Sequence, residues 1–210
     1  MVRLHIVALI IAISTCLSFR ENAATESEMS GLATITFAGG CFWCVEADFD
    51  KVHGVVETIS GYTGGTAVEP TYAEVASGNT GHFEAVQIFF DPAVVTFENL
   101  IDAFWHSVDP TDANGQFCDR GDPYRTAIFT HSTDQQRTAD NSKTILAESG
   151  VLRNKIATVI EPIGHFYPAE DYHQNYHTKN PVRYAFYRFR CDRDGRLQEL
   201  WGDDALRGIR

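Results

Sequence analysis

Two cysteines that enclose two aromatic residues form the stretch of this chain with the most evident chemical potential. Cys41 and Cys44 flank Phe42 and Trp43, directly after Gly39-Gly40. A Cys-x-x-Cys pair can act as a redox couple, supply half of a zinc site or form a structural disulfide. The thiolate is the reactive form of cysteine, so the local structure around Cys41 decides which chemistry is available.

The segments on either side of this stretch place Cys41 at the start of a helix. Residues 33–37 alternate apolar side chains with threonine, which predicts a strand, and the two glycines permit a sharp turn. The residues that follow, to about position 53, carry Val45, Phe49 and Val52 at helical spacing. Free N–H groups and the helix macrodipole favour an anion at this end of a helix. We therefore predict that Cys41 is rich in thiolate.

Segments with strand and helix patterns alternate along the rest of the chain. Period-2 apolar alternation bounded by turn residues indicates strands, and apolar residues at helical spacing indicate helices. We predict an α+β fold, a two-layer α/β sandwich in which helices pack on a mixed sheet, with a ferredoxin-like arrangement. The predicted strands are 55–62, 84–90, 125–130 and 157–163, with an extended segment at 184–190. The predicted helices are 97–108 after the N-cap Thr96, 133–149, a short one at 171–177, and 197–207. Residues 69–72 are predicted as a loop.

Charge and the N-terminal sequence limit the possible partners and location. The formal net charge of −11 over 210 residues argues against nucleic acid as a partner. An uncharged run at 6–17 has the length of a signal-peptide core and is too short to span a bilayer. We predict a signal peptide or N-terminal anchor at 1–24, a flexible linker at 25–32 and one folded domain at 33–210. Export to a bacterial periplasm or secretion follows, with a membrane-anchored form, lipidated at Cys16, as the alternative.

Two further sets of side chains offer other chemistry. Cys41 and Cys44 together with His173 and His177 have the ligand types of a Cys₂His₂ zinc site, although their separation exceeds that of a zinc finger. The second set contains acids and phenols placed in strands and loops, and its meaning depends on whether the fold brings its members together. Its members are Tyr72, Glu84, Asp119 and Tyr124.

Six short motifs, spread in order along most of the chain, carry a family resemblance. They are Gly40-Cys41-Phe42-Trp43, Gly61-Tyr62-Thr63-Gly64-Gly65, Pro70-Thr71-Tyr72, the run from Ser77 to Val86, Tyr124-Arg125-Thr126-Ala127-Ile128 and Ala169-Glu170-Asp171-Tyr172-His173-Gln174. With these motifs the chain resembles the A-type peptide methionine sulfoxide reductases, which repair oxidised methionine. The resemblance implies that 33–210 is a catalytic domain and that the protein is an oxidoreductase.

The resemblance also implies a role for each matching residue. The substrate would be methionine-S-sulfoxide, free or in oxidised proteins, and Cys41 would attack its sulfur. Phe42 and Trp43 would hold the methyl group on that sulfur. Glu84 would deliver a proton to the sulfoxide oxygen, Tyr72 and Tyr124 would hydrogen-bond to that oxygen, and Asp119 would be a nearby polar group.

The chemistry of the sulfoxide makes a specific demand on Glu84. A sulfoxide oxygen leaves poorly until it is protonated, so the acid must still hold its proton near neutral pH. An unperturbed glutamic acid, with a pKa of about 4.3, is almost wholly ionised there. We therefore predict that Glu84 is buried among aromatic side chains and has a raised pKa.

The second half of the reaction depends on another cysteine. The resemblance implies that Cys41 becomes a sulfenic acid, which condenses with a second thiol and is then recycled by thioredoxin or another dithiol, without a bound cofactor. The common family form has glycine at the position of Cys44 and resolving cysteines near the C-terminus. We therefore favour Cys191 as the resolving residue and keep Cys44 as the second candidate, whereas Cys118 is expected to be structural or incidental.

Two other functions remain open from the sequence. In one, the chain is a thiol–disulfide oxidoreductase that uses Cys41 and Cys44 and is indifferent to Glu84. In the other, it is a secreted binding module in which the cysteines form a structural disulfide or bind zinc. Under the leading interpretation we expect a monomer that meets oxidised proteins, free methionine sulfoxide and a thioredoxin-like reductant.

Overall fold

The computed structural model describes residues 31–209. By its internal contacts the chain divides into residues 1–32 and 33–210, and the second unit holds the fold described below. The predicted signal peptide and Cys16 lie outside the described residues. Within residues 31–209, no helix has the length and apolar character needed to cross a membrane.

A mixed six-stranded sheet and a separate two-stranded hairpin contain the extended segments. The strands are β1 Ala33–Gly39, β2 Val55–Thr63, β3 Phe83–Phe90, β4 Gly115–Gln116, β5 Asp119–Arg120, β6 Thr126–Thr130, β7 Val159–Pro162 and β8 Tyr167–Pro168. The spatial order of the large sheet is β7-β6-β1-β3-β2-β8, and β4 pairs with β5 in the hairpin. β6 and β7 run parallel, whereas the other neighbouring strands of the large sheet are antiparallel.

Seven α-helices connect and cover these strands in the described part of the chain. They are α1 Phe42–Phe49, α2 Tyr72–Ala76, α3 Phe97–Trp105, α4 Thr133–Glu148, α5 Tyr176–Lys179, α6 Pro181–Arg190 and α7 Arg193–Trp201, with short 3₁₀ turns at Asp122–Tyr124 and Gly202–Asp204. The α+β fold with a mixed sheet is confirmed.

Helices cover one face of the sheet, and the principal core lies between them. Phe37 of β1 is fully buried, stacks on Phe104 of α3 with ring centroids 4.6 Å apart, and lies 5.2 Å from Phe49 of α1. Side chains alternate across a strand, so the neighbouring Ala38 points to the opposite face. It joins a smaller apolar cluster there with Phe83, Ala85, Ala127 and Phe129.

One predicted strand is wrong and is a helix instead. Residues 184–190 belong to α6, which begins at Pro181, where the missing proline N–H has no helical partner to lose. The aromatic residues suggested a strand, but Tyr184, Tyr187 and Arg188 stand three and four positions apart. They form the half-buried face of α6, because this spacing matches the helical repeat rather than the strand repeat.

Two short helices also differ from the sequence prediction. The predicted loop 69–72 ends in α2, which is capped by Thr71: its hydroxyl accepts the Glu74 N–H, and the Glu74 carboxylate accepts the Thr71 N–H. This Thr-x-x-Glu capping box was present in the sequence as a helix signal. The helix predicted at 171–177 begins later, at Tyr176, because Asn175 is left-handed with φ 53° and ends the preceding turn.

Candidate active site

The turn between β1 and α1 holds Cys41 at the edge of a cavity. Cys41 is the N-cap residue of α1, as predicted, with φ −55° and ψ 122°. Gly40 has φ +84°, and a Cβ atom there would lie 2.6 Å from the Cβ of Gln116, so this position requires glycine. The buried guanidinium of Arg193 donates to the Gly39 carbonyl at 3.0 Å and thereby ties the turn to α7.

A small cavity of about 50 Å³ lies beside Cys41. It is far smaller than a typical ligand pocket of roughly 300–1,000 Å³, so it suits one functional group rather than a whole ligand. The fold brings all seven predicted catalytic and substrate-binding residues to this cavity and adds an eighth. The lining residues are Cys41, Phe42, Trp43, Tyr72, Glu84, Asp119, Tyr124 and Tyr187. A wider groove of about 450 Å³ between α3 and α4 contains none of them.

Glu84 is the buried acid of the cavity. It lies on β3 with 1% of its surface exposed, and its Oε2 atom accepts the backbone N–H of Phe42 at 3.0 Å. Burial raises the pKa of Glu84 to about 8 against the opposing effect of that N–H, and the negative charge of Asp119 adds to the rise. The predicted burial and raised pKa are confirmed, so Glu84 holds a proton near neutral pH.

Two of the phenols that line the cavity come from separate elements. Tyr72 is the first residue of α2, and Tyr124 ends the 3₁₀ turn before β6. The carboxylate of Glu170 positions Tyr72 by accepting its backbone N–H at 2.9 Å. Burial raises the pKa of Tyr72 to about 12 and also raises the pKa of Tyr124, so both remain protonated donors.

An aromatic group fixes the apolar wall. The indole N–H of Trp43 donates to Nδ1 of His173 at 3.0 Å, and its ring stacks on Tyr176 with centroids 3.7 Å apart. Phe42 lies 4.9 Å from the His173 ring. Burial lowers the pKa of His173, which favours the neutral ring that this indole bond requires. The wall is therefore apolar and held in one orientation.

The resting state of Cys41 differs from the prediction. Cys41 and Cys44 are free thiols, 7% and 2% exposed, and the Cys44 backbone N–H donates to the Cys41 carbonyl at 3.0 Å. Burial raises the pKa of Cys41, and the Cys44 side chain and the nearby carboxyl groups of Glu84 and Asp119 raise it further. The prediction of a thiolate-rich Cys41 is therefore wrong for the resting protein, because desolvation and negative neighbours outweigh the helix N-terminus.

Cys44 has the opposite electrostatic environment. The Cys41 side chain lowers the pKa of Cys44 against the effect of burial, and the cations Arg193 and Arg188 lower it further. Both arginines are themselves held near Cys44 by the buried carboxylate of Asp48. Burial and nearby carboxyl groups thus disfavour the thiolate of Cys41, whereas the two arginines favour the thiolate of Cys44.

The other two cysteines of the described chain form a disulfide. Cys118, expected to be structural or incidental, is bonded to Cys191, with Cα atoms 4.8 Å apart. The favoured resolving residue Cys191 therefore has no free thiol here, whereas Cys44 is a free thiol in the first turn of the helix that Cys41 caps. The sequence could not reveal this pairing, because 73 residues separate the partners.

The predicted zinc set is not assembled within the described residues. His173 uses Nδ1 to accept the indole N–H, and the ring nitrogens of His177 lie 3.9 Å from Glu46 and 3.5 Å from Asp50. The side chains that do cluster at metal-ligand distances in the described chain are Cys118, Asp119 and Cys191, whose sulfurs are bonded to each other.

Tyr187 is the cavity residue that the sequence prediction missed. Its hydroxyl donates to Oδ2 of Asp119, and its ring meets Trp43 edge-on with centroids 5.7 Å apart. The error in the secondary structure of α6 concealed it. The spacing of Tyr184, Tyr187 and Arg188 was the signal that could have found it.

Fold and site together define a thiol-based oxidoreductase. A free thiol pair can supply two electrons, and a buried protonated carboxyl group faces the same cavity with two phenolic donors. Such a site suits a substrate that is attacked by sulfur while one of its own atoms receives a proton.

Comparison with known proteins identifies the family. A sequence model of the family "Peptide methionine sulfoxide reductase" matches residues 33–205. The MsrA of Bacillus licheniformis is 54% identical over 167 residues, covering 80% of this chain and 92% of the relative. The MsrA of Bacillus subtilis is 52% identical over 167 residues, covering 80% and 94%.

Solved structures agree with the sequence relatives. Methionine sulfoxide reductase A of Corynebacterium diphtheriae superposes with a TM-score of 0.66 at 37% identity, covering 73% of this chain and 77% of that one. Reduced Mxr1 of Saccharomyces cerevisiae has a TM-score of 0.65 at 36% identity, covering 72% and 87%. The chain belongs to the peptide methionine sulfoxide reductase family, and it is an oxidoreductase that reduces methionine sulfoxide.

Proposed function

We propose that this enzyme reduces the S epimer of methionine sulfoxide, free or in proteins, by attack of Cys41 on the sulfoxide sulfur. One observation carries the proposal: Cys41 and the protonated Glu84 line the same cavity of about 50 Å³. Sulfoxide reduction needs a nucleophile at sulfur and an acid at oxygen together. The rings of Phe42 and Trp43 offer the apolar surface that the methyl group on the sulfur requires.

The first step moves one proton away from Cys41 and another onto the substrate. In the reacting form Cys44 is the thiolate, which its lowered pKa favours, and substrate binding lets the Cys41 proton pass to it, so that Cys44 becomes the thiol and Cys41 the thiolate. The Cys41 thiolate attacks the sulfoxide, Glu84 protonates the oxygen, and the phenols of Tyr72 and Tyr124 donate to it as charge develops. The attack forms a bond between the Cys41 sulfur and the substrate sulfur. As the protonated oxygen moves to Cys41, this S–S bond and the S–O bond of the substrate both break, so methionine leaves as the thioether and Cys41 carries the oxygen as a sulfenic acid.

Cys44 then resolves the sulfenic acid. Its sulfur attacks the Cys41 sulfur, an S–S bond forms, the S–OH bond breaks, and the hydroxide leaves with one proton as water. The free thiol of Cys44 in the helical turn that follows Cys41 supports this role, and the disulfide between Cys118 and Cys191 favours Cys44 over Cys191. Thiol–disulfide exchange with a thioredoxin-like dithiol restores both thiols, and no bound cofactor takes part.

We also propose that the enzyme works after export. The uncharged run at 6–17 supports this location. The Cys118–Cys191 disulfide supports it independently, since such bonds persist in oxidising compartments and are rare in the cytosol. Cleavage of the leader is measured by N-terminal sequencing of the protein from a bacterial periplasm; recovery of the full-length chain in the cytosol would contradict export.

Separated sulfoxide epimers provide the decisive test of the reaction. With dithiothreitol as the electron donor, we expect turnover of the S epimer, little or none of the R epimer, and none by Cys41→Ser. Activity on the R epimer alone, or activity that survives Cys41→Ser, would contradict the proposal. A thiol–disulfide oxidoreductase would instead reduce a protein disulfide and remain indifferent to Glu84→Gln.

A single-turnover experiment tests Cys44. One equivalent of the S sulfoxide, without added reductant, should leave a Cys41–Cys44 disulfide that peptide mapping detects. Cys44→Ser should release one methionine more slowly, because the acceptor of the Cys41 proton is lost, and should then accumulate the sulfenic acid, which a dimedone-type probe traps. A Cys41–Cys191 or Cys41–Cys118 link in the wild-type peptide map would remove Cys44 from the resolving role.

A further inference from the structure

We infer that the Cys118–Cys191 disulfide holds Tyr187 in place as a positioning residue of the sulfoxide pocket, an inference that rests on the function proposed above. The disulfide joins the two chain segments that carry Asp119 and Tyr187. Reduction of the disulfide releases this wall of the cavity and weakens sulfoxide binding. Reduction of the disulfide changes how tightly the sulfoxide binds and leaves the reaction of Cys41 with the bound sulfoxide unchanged.

The backbone connects the disulfide directly to the two pocket residues. Cys118 immediately precedes Asp119 in the hairpin formed by β4 and β5. Cys191 caps the C-terminal end of α6, and its N–H donates to the carbonyl oxygen of Tyr187 at 2.9 Å, one helical turn away. The two sulfurs and a carboxylate oxygen of Asp119 all lie within 4.8 Å of one another. The cross-link is therefore adjacent to the contact that it would hold.

Tyr187 meets the pocket at two points. Its hydroxyl donates to Oδ2 of Asp119, and its ring packs edge-on against Trp43 at 5.7 Å. Burial raises the pKa of Tyr187, and the negative charges nearby act in the same direction, so the phenol keeps its proton and remains a donor. Tyr187 thus fixes the Asp119 carboxylate and one edge of the apolar wall together.

The attachment of α6 to the rest of the domain is otherwise sparse. α6 contains no fully buried residue, and its outer face leaves Val182, Phe186 and Phe189 exposed by 82%, 66% and 80%. An ion pair at 2.7 Å between Arg188 and Asp48 ties α6 to α1. With so little apolar burial, the position of this helix depends on polar contacts and on the covalent bond at its end.

The hairpin is also attached to α7 through Phe117, which packs against the cluster of Leu197 and Trp201, and this limits the expected effect. The Arg193 guanidinium stands 4.5 Å from the ring centroid of Phe117, the residue before Cys118. Loss of the disulfide should therefore loosen the wall without detaching the hairpin. A weakened phenol–carboxylate hydrogen bond corresponds to an increase of about three- to tenfold in the sulfoxide dissociation constant.

Binding without turnover isolates this effect. The full chain with Cys41→Ser and Cys44→Ser cannot reduce the ligand and keeps the Cys118–Cys191 bond. Titration with N-acetyl-methionine-S-sulfoxide, followed by calorimetry, is performed before and after treatment with tris(2-carboxyethyl)phosphine. The phosphine is oxidised to its oxide with oxygen from water, while the disulfide gains two protons and two electrons and becomes two thiols. We expect the dissociation constant to rise about three- to tenfold on reduction.

Two further variants separate positioning from general stabilisation. In the same background, Cys118→Ser with Cys191→Ser should bind like the reduced protein and show no response to the phosphine. Tyr187→Phe keeps the ring but removes the hydroxyl, so its affinity should start lower and respond less than twofold to reduction. A response of full size in Tyr187→Phe would overturn the role of the tyrosine hydroxyl, and so would an unchanged affinity in the reduced parent.

Circular dichroism of each sample completes the test. A native near-ultraviolet spectrum after reduction is expected, because the core of the sheet does not depend on the disulfide. A general loss of that spectrum would mean that the disulfide stabilises the whole fold rather than positioning Tyr187, and it would overturn the inference. The proposed function is tested by a separate measurement, the turnover of the S sulfoxide by the unmodified chain. If the chain turns over the S sulfoxide but its affinity does not depend on the disulfide, this inference is wrong and the proposed function stands.

Discussion

Replacing Glu84 with glutamine removes one proton from the site and little else. Glutamine has nearly the same shape, and its amide oxygen can still accept the backbone N–H of Phe42, which Glu84 accepts at 3.0 Å. Glu84 is 1% exposed, so water does not readily replace the missing acid. We expect the rate constant for sulfoxide reduction to fall by roughly 10²–10⁴-fold, the usual contribution of a general acid.

The raised pKa of Glu84 determines the pH at which the wild-type rate falls. With a pKa of about 8, Glu84 is protonated to about 90% at pH 7, whereas a carboxyl group at its ordinary value of 4.5 would be protonated to only about 0.3%. Burial therefore increases the acid form about 300-fold at neutral pH. The wild-type kcat/KM should accordingly decline as pH rises through about 8, because the acid ionises there.

Steady-state assays with N-acetyl-methionine-S-sulfoxide from pH 6 to 10 measure both effects. Glu84→Gln should be slow at every pH and lack the decline near pH 8, while its rate still rises from the acid side as the Cys41–Cys44 pair loses its first proton. The exposed residue Glu57 on β2 provides the matched control, because Glu57→Gln makes the same side-chain replacement outside the cavity and should leave the profile unchanged. An effect of Glu84→Gln below tenfold, or an alkaline decline that persists in this variant, would refute the role of Glu84 as the acid.

Three further outcomes follow from the structure. Tyr124→Phe should reduce kcat/KM for the S sulfoxide by about 10- to 100-fold, since one of two donors to the developing oxyanion is lost; an effect below threefold would contradict this. Because folding raises the pKa of Glu84 from 4.5 to about 8, its contribution to stability is complete below pH 4.5 and is lost as pH rises to about 8. In urea unfolding across this pH range, the free energy of unfolding of the wild type should fall by up to about 5 kcal/mol relative to that of Glu84→Gln. Stability curves of the two proteins that run parallel with pH would contradict the raised pKa of Glu84. Thr71→Ala should lower the free energy of unfolding by about 1 kcal/mol through loss of the α2 cap, and an unchanged urea midpoint would contradict the cap.

The sequence predicted most of the site because its residues occur in short motifs. Local patterns placed Cys41 at the N-terminus of a helix after a strand, and the structure confirms this position. The demand for a protonated acid predicted the burial of Glu84 from chemistry alone. The convergence of these residues on one cavity came from the resemblance, since spacing along the chain carries no information about distances between separate loops.

The failures of prediction have a common physical origin. Thiolate character at Cys41 was inferred from one local effect, the helix N-terminus, while the carboxyl groups of Glu84 and Asp119 arrive from distant segments. The pairing of Cys118 with Cys191 likewise depends on tertiary contacts. The helical state of α6 was obscured by residues of high strand propensity, although the spacing of its half-buried face is helical. Local chemistry was predictable, and the summed electrostatics of the folded site were not.

The distribution of protons in the site explains how a buried thiol with a raised pKa can still act as a nucleophile. Cys41 and Glu84 both face the cavity in their neutral forms, so the pocket matches a neutral sulfoxide. Arg193 and Arg188 favour the thiolate of Cys44, and this thiolate is the group that accepts the Cys41 proton. During the attack, negative charge develops on the substrate oxygen, and Glu84 neutralises it by donating its proton. The same low polarity that suppresses the resting thiolate keeps the acid protonated, so the two raised pKa values are one property of the cavity.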